Sequence, residues 1–160
     1  MTYRFWHVGI NVTDMDRTIE FYEKIGFQLE DQGGFTNPQV GEAFSVEGGD
    51  TVRFAHMRIN PNEPNESLLD LIQWVNPPTE GYAEPRSMRD PGLCRFSILC
   101  DDCDERYETL SKLGVEFVKP PTTVMAPDGT RGWKILFAKD PDGALFHFVE
   151  KIGDADNHPT

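Results

Sequence analysis

The sequence predicts an α+β fold built from two βαβββ modules, and three observations carry that prediction. The first is an internal repeat. Displacing residues 7–27 by 88 positions aligns them without a gap on residues 95–115, with six of 21 positions identical. The identities are Ile10/Ile98, Asp14/Asp102, Asp16/Asp104, Glu20/Glu108, Lys24/Lys112 and Gly26/Gly114. The second is a helical spacing that recurs at the same offset. Met15, Ile19, Tyr22 and Ile25 share one helix face, as do Cys103, Tyr107, Leu110 and Leu113. The third is that each half continues into two β-rich runs separated by a polar turn.

The first module spans 4–75. It opens on a strand at about Arg4–Val12, followed by a helix capped at Thr13 or Asp14 and stopped at Gly26. The segment DQGGFTNPQVGEAFSVEGGD reads as a long covering loop. Strands follow at Thr51–Ile59 and Leu68–Val75, around the turn NPNEPNE. Residues 76–92, rich in Pro and polar side chains, read as a linker. The second module spans 93–151, with a strand at Leu93–Cys100, a cap at Asp101 or Asp102, and a helix stop at Gly114. Its last strands, Trp133–Ala138 and Ala144–Lys151, flank the turn DPDG. Residues 152–160 read as a frayed tail.

Composition narrows the function. A chain of 160 residues buries roughly 70% of its unfolded surface without help from disulfides. Fifteen Lys and Arg against 27 Asp and Glu give a net charge of −12, which phosphate backbones and anionic membranes repel. The expectation is therefore no nucleic-acid and no membrane partner. No apolar run approaches the roughly 20 residues of a membrane helix, and the N-terminus lacks the layout of a secretory signal. Three cysteines fit a reducing compartment, so a soluble cytoplasmic domain is expected.

Strand alternation sorts the side chains by face. Trp6, Val8, Ile10 and Val12 form an apolar face under the helix, leaving Phe5, His7, Gly9 and Asn11 opposite. Leu69 and Leu71 oppose Leu68, Asp70, Ile72 and Trp74. Cys94, Phe96, Ile98 and Cys100 oppose Leu93, Arg95, Ser97 and Leu99, and Phe146 and Phe148 oppose Leu145, His147 and Val149. His7, Asp70, Arg95 and His147 thus each interrupt an apolar strand on the face that helix packing does not need. A polar group there must be paired, ligated or turned toward a cavity.

HVGINVTDMDRTIEFYEKIGF, LLDLIQW, GLCRFSILCDDCDERYETLSKLGVEF and KDPDGALFHFVE together resemble the vicinal oxygen chelate superfamily. That group includes glyoxalase I, type I extradiol dioxygenases, methylmalonyl-CoA epimerase, fosfomycin-resistance enzymes and bleomycin-binding proteins. The resemblance covers all but the linker and tail. It implies one domain over 1–160, with the modules pairing into a cupped mixed sheet and the helices on its outer face. Two-module members often pair as a homodimer, so the cup is completed within one chain or across that interface.

Metal-dependent members take His, Glu or Gln, His and Glu from the first and last strands of the two modules. Carried over, those positions are His7, Asp70, Arg95 and His147. Asp70 keeps the carboxylate on a shorter arm, and His147 replaces an anion with a neutral imidazole. Arg95 cannot ligate a cation, because its guanidinium stays protonated. The implied metal set is His7, Asp70 and His147, holding divalent Fe, Mn, Ni or Zn and resembling a two-His-one-carboxylate site. The partner it implies is a small-molecule substrate. Arg95 becomes the catalytic candidate that orients an anionic substrate, with Trp74, His56 and Lys134 beside it as substrate-binding candidates. Fe(II) would favour dioxygenation, and Zn, Ni or Mn would favour lyase or isomerase chemistry. The alternative is a metal-free protein that sequesters a small molecule or antibiotic, as bleomycin-resistance proteins do. In that case Arg95 would bridge to Asp70 across the cup. Its support is the missing ligand at Arg95 and the 18 aromatic residues (11 Phe, 4 Tyr, 3 Trp).

Other motifs read structurally. Cys100-x-x-Cys103 lacks a second ligand pair at zinc-finger spacing and is expected to be packing. The two PDG turns supply tight backbone geometry, and His158 sits in the tail. Arg131 and Trp133 read as surface strand residues. No nucleophile elbow, phosphate loop or dinucleotide fingerprint occurs.

Overall fold

The computed structural model describes residues 4–63, 65–81, 89 and 92–153. The chain divides into two compact units, Met1–Ala83 and Glu84–Thr160. Most of the expected linker, the tail from residue 154 and His158 lie outside the described residues.

The first unit contains β1 (His7–Asn11), α1 (Met15–Lys24), β2 (Gln28–Thr36), α2 (Pro38–Phe44), β3 (Thr51–Arg58) and β4 (Leu68–Asn76). Its sheet has the order β1-β4-β3-β2, with β1 parallel to β4 and the other pairs antiparallel. The second unit contains β5 (Phe96–Leu99), α3 (Cys103–Lys112), β6 (Thr122–Met125), β7 (Gly132–Lys139) and β8 (Leu145–Ile152). Its sheet repeats the plan in the order β5-β8-β7-β6, with β5 parallel to β8. Each unit is therefore a four-stranded mixed sheet carrying a βαβββ motif, as the repeat predicts. No helix among the described residues is long and apolar enough to cross a membrane.

The repeated letters have repeated jobs. Asp14 caps α1 by accepting from Arg17 N at 3.1 Å, and Asp102 caps α3 by accepting from Asp104 N and Glu105 N at 2.8 and 2.9 Å. Gly26 and Gly114 follow the helices at φ 111° and 83°, a left-handed backbone that glycine adopts without a Cβ penalty. Asp14→Ala is expected to destabilise the protein by about 1 kcal/mol, with Asp14→Asn close to wild type. Urea midpoints of the three proteins check this; equal midpoints for Ala and wild type would refute the cap.

Apolar side chains fill the space between each sheet and its helix. In the first unit Tyr22, Met15 and Ile19 of α1 are buried with Ala55, Met57, Leu69 and Leu71 of the sheet. In the second, Cys103 and Leu110 of α3 are buried with Leu136, Ala138, Phe146 and Phe148.

Two features depart from the sequence reading. The expected loop after α1 holds β2 and α2. β2 is almost wholly exposed, so it has no buried face to produce alternation. α2 is only seven residues long and starts on the Asn37 cap and Pro38, a position where proline's missing N–H is harmless. Trp6, expected under α1, precedes β1 and is half exposed. Its ring packs on His7 with centroids 4.7 Å apart.

Candidate functional site

On the first sheet, the face opposite α1 carries His7, His56 and Asp70. The α1 side is identified by its own contacts. Arg53 of β3 pairs with Asp16 of α1 at 2.6 Å, and Gln73 of β4 accepts from Met15 N at 3.2 Å. His56 and Asp70 have the other parity and are direct cross-strand partners between β3 and β4. Parallel pairing of β1 with β4 brings in His7, two residues before Gly9, the register partner of Asp70. The Asp70 carboxylate thus lies between two imidazoles. Its Oδ2 is 3.8 Å from His7 Nε2, and its Oδ1 is 3.5 Å from His56 Nε2. Trp6 and Phe54 flank His56, with ring centroids 6.4 and 5.3 Å from its own.

This cluster is only partly satisfied. His7 Nδ1 and Asp70 Oδ1 are buried without a hydrogen-bond partner. Most buried polar atoms in folded proteins are paired, so two unpaired atoms in one cluster set it apart from the rest of the sheet. Trp74, on the same face of β4, is 8% exposed. Its ring meets Phe44 of α2 edge-on at 6.0 Å, so it packs under α2.

On the second sheet, Arg95, Ser97, His147 and Phe137 share the face opposite α3. Ser97 and His147 are register partners of β5 and β8, and Ser97 Oγ lies 2.9 Å from His147 Nε2. Phe137 faces His147 across β7 and β8 with ring centroids 4.7 Å apart. The Arg95 guanidinium stands 5.9 Å from the Phe137 ring centroid and donates to Cys94 Sγ at 3.3 Å. His147 is 6% exposed, and its Nδ1 has no partner. Burial, with the nearby Arg95 charge second, lowers its pKa from the ordinary histidine value. It therefore stays neutral at neutral pH, the form in which imidazole ligates a metal.

Lys134 does not join this face. It lies on the α3 side of β7, where its Nζ is 2.5 Å from Asp104 and 3.5 Å from Glu150. Cys100 and Cys103 are reduced, with sulfurs 3.6 Å apart, and Cys103 is fully buried. Burial pushes the Cys103 thiol up to about 12, as expected of a packing residue. Ser97, which the sequence places on the face without assigning it a role, is the direct partner of His147. The signal for it is its parity with Arg95.

Among the described residues, no three His, Cys, Asp or Glu side chains are already gathered to hold a metal ion. The donor chemistry nevertheless suits one. In the first unit a carboxylate stands beside imidazole, and His7 and Asp70 each retain an unpartnered buried atom.

Comparison with known proteins adds a lineage. Residues 4–148 match the Glyoxalase/Bleomycin resistance protein/Dioxygenase superfamily. The chain is 24% identical to the uncharacterized protein YwbC of Bacillus subtilis, covering 94% of this chain and all of that one. It is 27% identical to lactoylglutathione lyase GLX1 of Arabidopsis thaliana, covering 92% of this chain but only 44% of the plant protein's length. Among solved structures, a glyoxalase family protein from Bacillus cereus superposes with a TM-score of 0.77 at 24% identity, covering 96% of this chain and 97% of that one. Glyoxalase I of Leishmania major gives 0.59 at 21% identity, covering 93% of this chain and 87% of its own.

Proposed function

Because the chain belongs to the glyoxalase/bleomycin resistance protein/dioxygenase superfamily, we propose that it is a metal-dependent enzyme acting on a small anionic molecule with adjacent oxygens. The observation that carries this reading is the pairing of His7 and Asp70 on β1 and β4, each with a buried atom lacking a partner. His7 and Asp70 would hold a divalent ion. Such an ion supplies Lewis-acid stabilisation of negative charge on bound oxygens. The relative named lactoylglutathione lyase favours lyase or isomerase chemistry over ring-cleaving dioxygenation.

The remaining roles follow from the side chains. Arg95 is exposed, and none of the ion pairs among the described residues involves it. Its guanidinium offers two parallel donors to a substrate carboxylate, and Phe137 supports it from below. His147, neutral and joined to Ser97, can accept a proton or offer a lone pair without first losing one. The second reading, a metal-free binding protein, draws on Arg95 occupying a ligand position and on the aromatic rings of Trp6, Phe54 and Phe137 beside the polar groups.

Metal analysis of untagged protein separates the two. Stoichiometric metal is expected, and Arg95→Gln should keep that metal while weakening a small carboxylate ligand about tenfold. Less than about 0.1 ion per chain, not restored by Fe(II), Mn(II), Ni(II) or Zn(II), leaves only the binding-protein reading.

A further inference from the structure

We propose that His56 is a metal ligand, so that His7, His56 and Asp70 form a two-His-one-carboxylate site wholly within the first unit. The inference rests on the metal-dependent reading above and changes where the third donor comes from.

The two repeats supply the argument. His7 of the first unit corresponds to Arg95 of the second at the 88-residue offset. Asp70 on β4 corresponds to His147 on β8, the strands that pair with β1 and β5. The direct cross-strand partner of Asp70 is His56, and the direct cross-strand partner of His147 is Phe137. Three equivalent positions thus read His, Asp, His in the first unit and Arg, His, Phe in the second. All three donors of the first unit can bind a cation. The second unit offers one imidazole, closed off by a Ser97 hydroxyl on one nitrogen and attended by a guanidinium.

The geometry of the first cluster agrees. Both oxygens of Asp70 face imidazole nitrogens, at 3.8 and 3.5 Å. Neither separation is a hydrogen bond, which leaves Oδ1 buried and unpaired. Adjacent donors around an ion at about 2.1 Å stand about 3.0–3.4 Å apart, so each of these two separations exceeds that of a bound site by only tenths of an ångström. Small side-chain rotations would bring each imidazole to that spacing from the Asp70 carboxylate. The rings of Trp6 and Phe54 beside His56 would border the ion on its apolar side. The chemistry selected is a borderline divalent cation that accepts two nitrogens and one oxygen, such as Zn(II), Fe(II) or Co(II).

The test uses the full chain, stripped with chelator and titrated with Zn(II) by calorimetry and with Co(II) by visible absorption. One ion per chain is expected for wild type. His56→Ala should weaken Zn(II) at least about tenfold and change the Co(II) spectrum, whereas His147→Ala should stay within about twofold. His56→Cys, which supplies another zinc ligand, should restore binding and so separates ligation from a folding defect. If His147→Ala loses the ion while His56→Ala keeps it, the inference is overturned and the metal reading stands. If wild type binds no ion, both fall. If His56→Ala binds like wild type, His56 is no ligand.

Discussion

Replacing Phe146 with alanine is expected to destabilise the protein by about 3–5 kcal/mol, the range for emptying a buried phenyl site. Phe146 is fully buried at the start of β8. It stacks on Phe96 of β5 at 5.4 Å with planes 13° apart and meets Phe148 edge-on at 5.7 Å. Its register partner on β7 is Ala138, whose methyl group cannot expand into the vacancy. Collapse around the lost ring is therefore limited, which favours the upper half of the range. Domains of this size have about 5–15 kcal/mol in total, so the variant should unfold at a much lower denaturant concentration. Phe146→Leu, which retains most of the volume, should lose far less. Urea unfolding followed by tryptophan fluorescence reads both. An Ala variant within about 1 kcal/mol of wild type would mean that β8 does not anchor the second core.

Asp70→Ala is expected to lower affinity for a divalent ion by at least about 100-fold, equivalent to about 2.7 kcal/mol. Asp70 is the carboxylate shared by both imidazoles, so no neighbouring group replaces its charge. The effect on stability should have the opposite sign from that at Phe146. In the metal-free protein, Asp70 brings a buried oxygen that lacks a partner. Removing such a group is neutral or mildly stabilising, since its desolvation is no longer uncompensated. The paired expectation is weaker metal binding with an unchanged or higher melting temperature of the metal-free protein. Calorimetric titration and thermal unfolding of one preparation check the two halves together. Unchanged metal affinity, or strong destabilisation of the metal-free protein, would show that Asp70 serves the fold rather than an ion.

The parts of this protein that were legible in its sequence are those repeated by physics as well as by descent. A cap aspartate, an apolar stripe and a terminal glycine recur together because each solves the same local problem at Asp14 to Gly26 and at Asp102 to Gly114. Alternation placed His7, Asp70, Arg95 and His147 on the faces opposite α1 and α3, because alternate residues of those strands, such as Ile10, Leu69, Leu71, Ile98, Phe146 and Phe148, are buried in a core. β2 and α2 were not legible. One has no buried face, and the other is too short for a 3.6-residue period to show. The ion pairs of Lys134 are not legible in the sequence either, because the two carboxylates that converge on it, Asp104 and Glu150, are distant along the chain. The Ser97–His147 bond lies beyond any local pattern, since it is made between strands whose partners are 50 positions apart.

The parallel union of β1 with β4 has a kinetic meaning. β2, β3 and β4 follow one another along the chain, so their pairings close over short intervals. β1 must be retrieved from the far end, because His7 and Asp70 are 63 positions apart. Closing that interval costs about 1–2 kcal/mol more chain entropy than closing a ten-residue hairpin. β1, one of the two edge strands, is thus the least local attachment in its unit. An ion gripped by His7 and Asp70 together would clasp the N-terminal strand to the rest of the sheet. Occupancy would then protect its backbone amides from exchange in proportion to the free ion concentration.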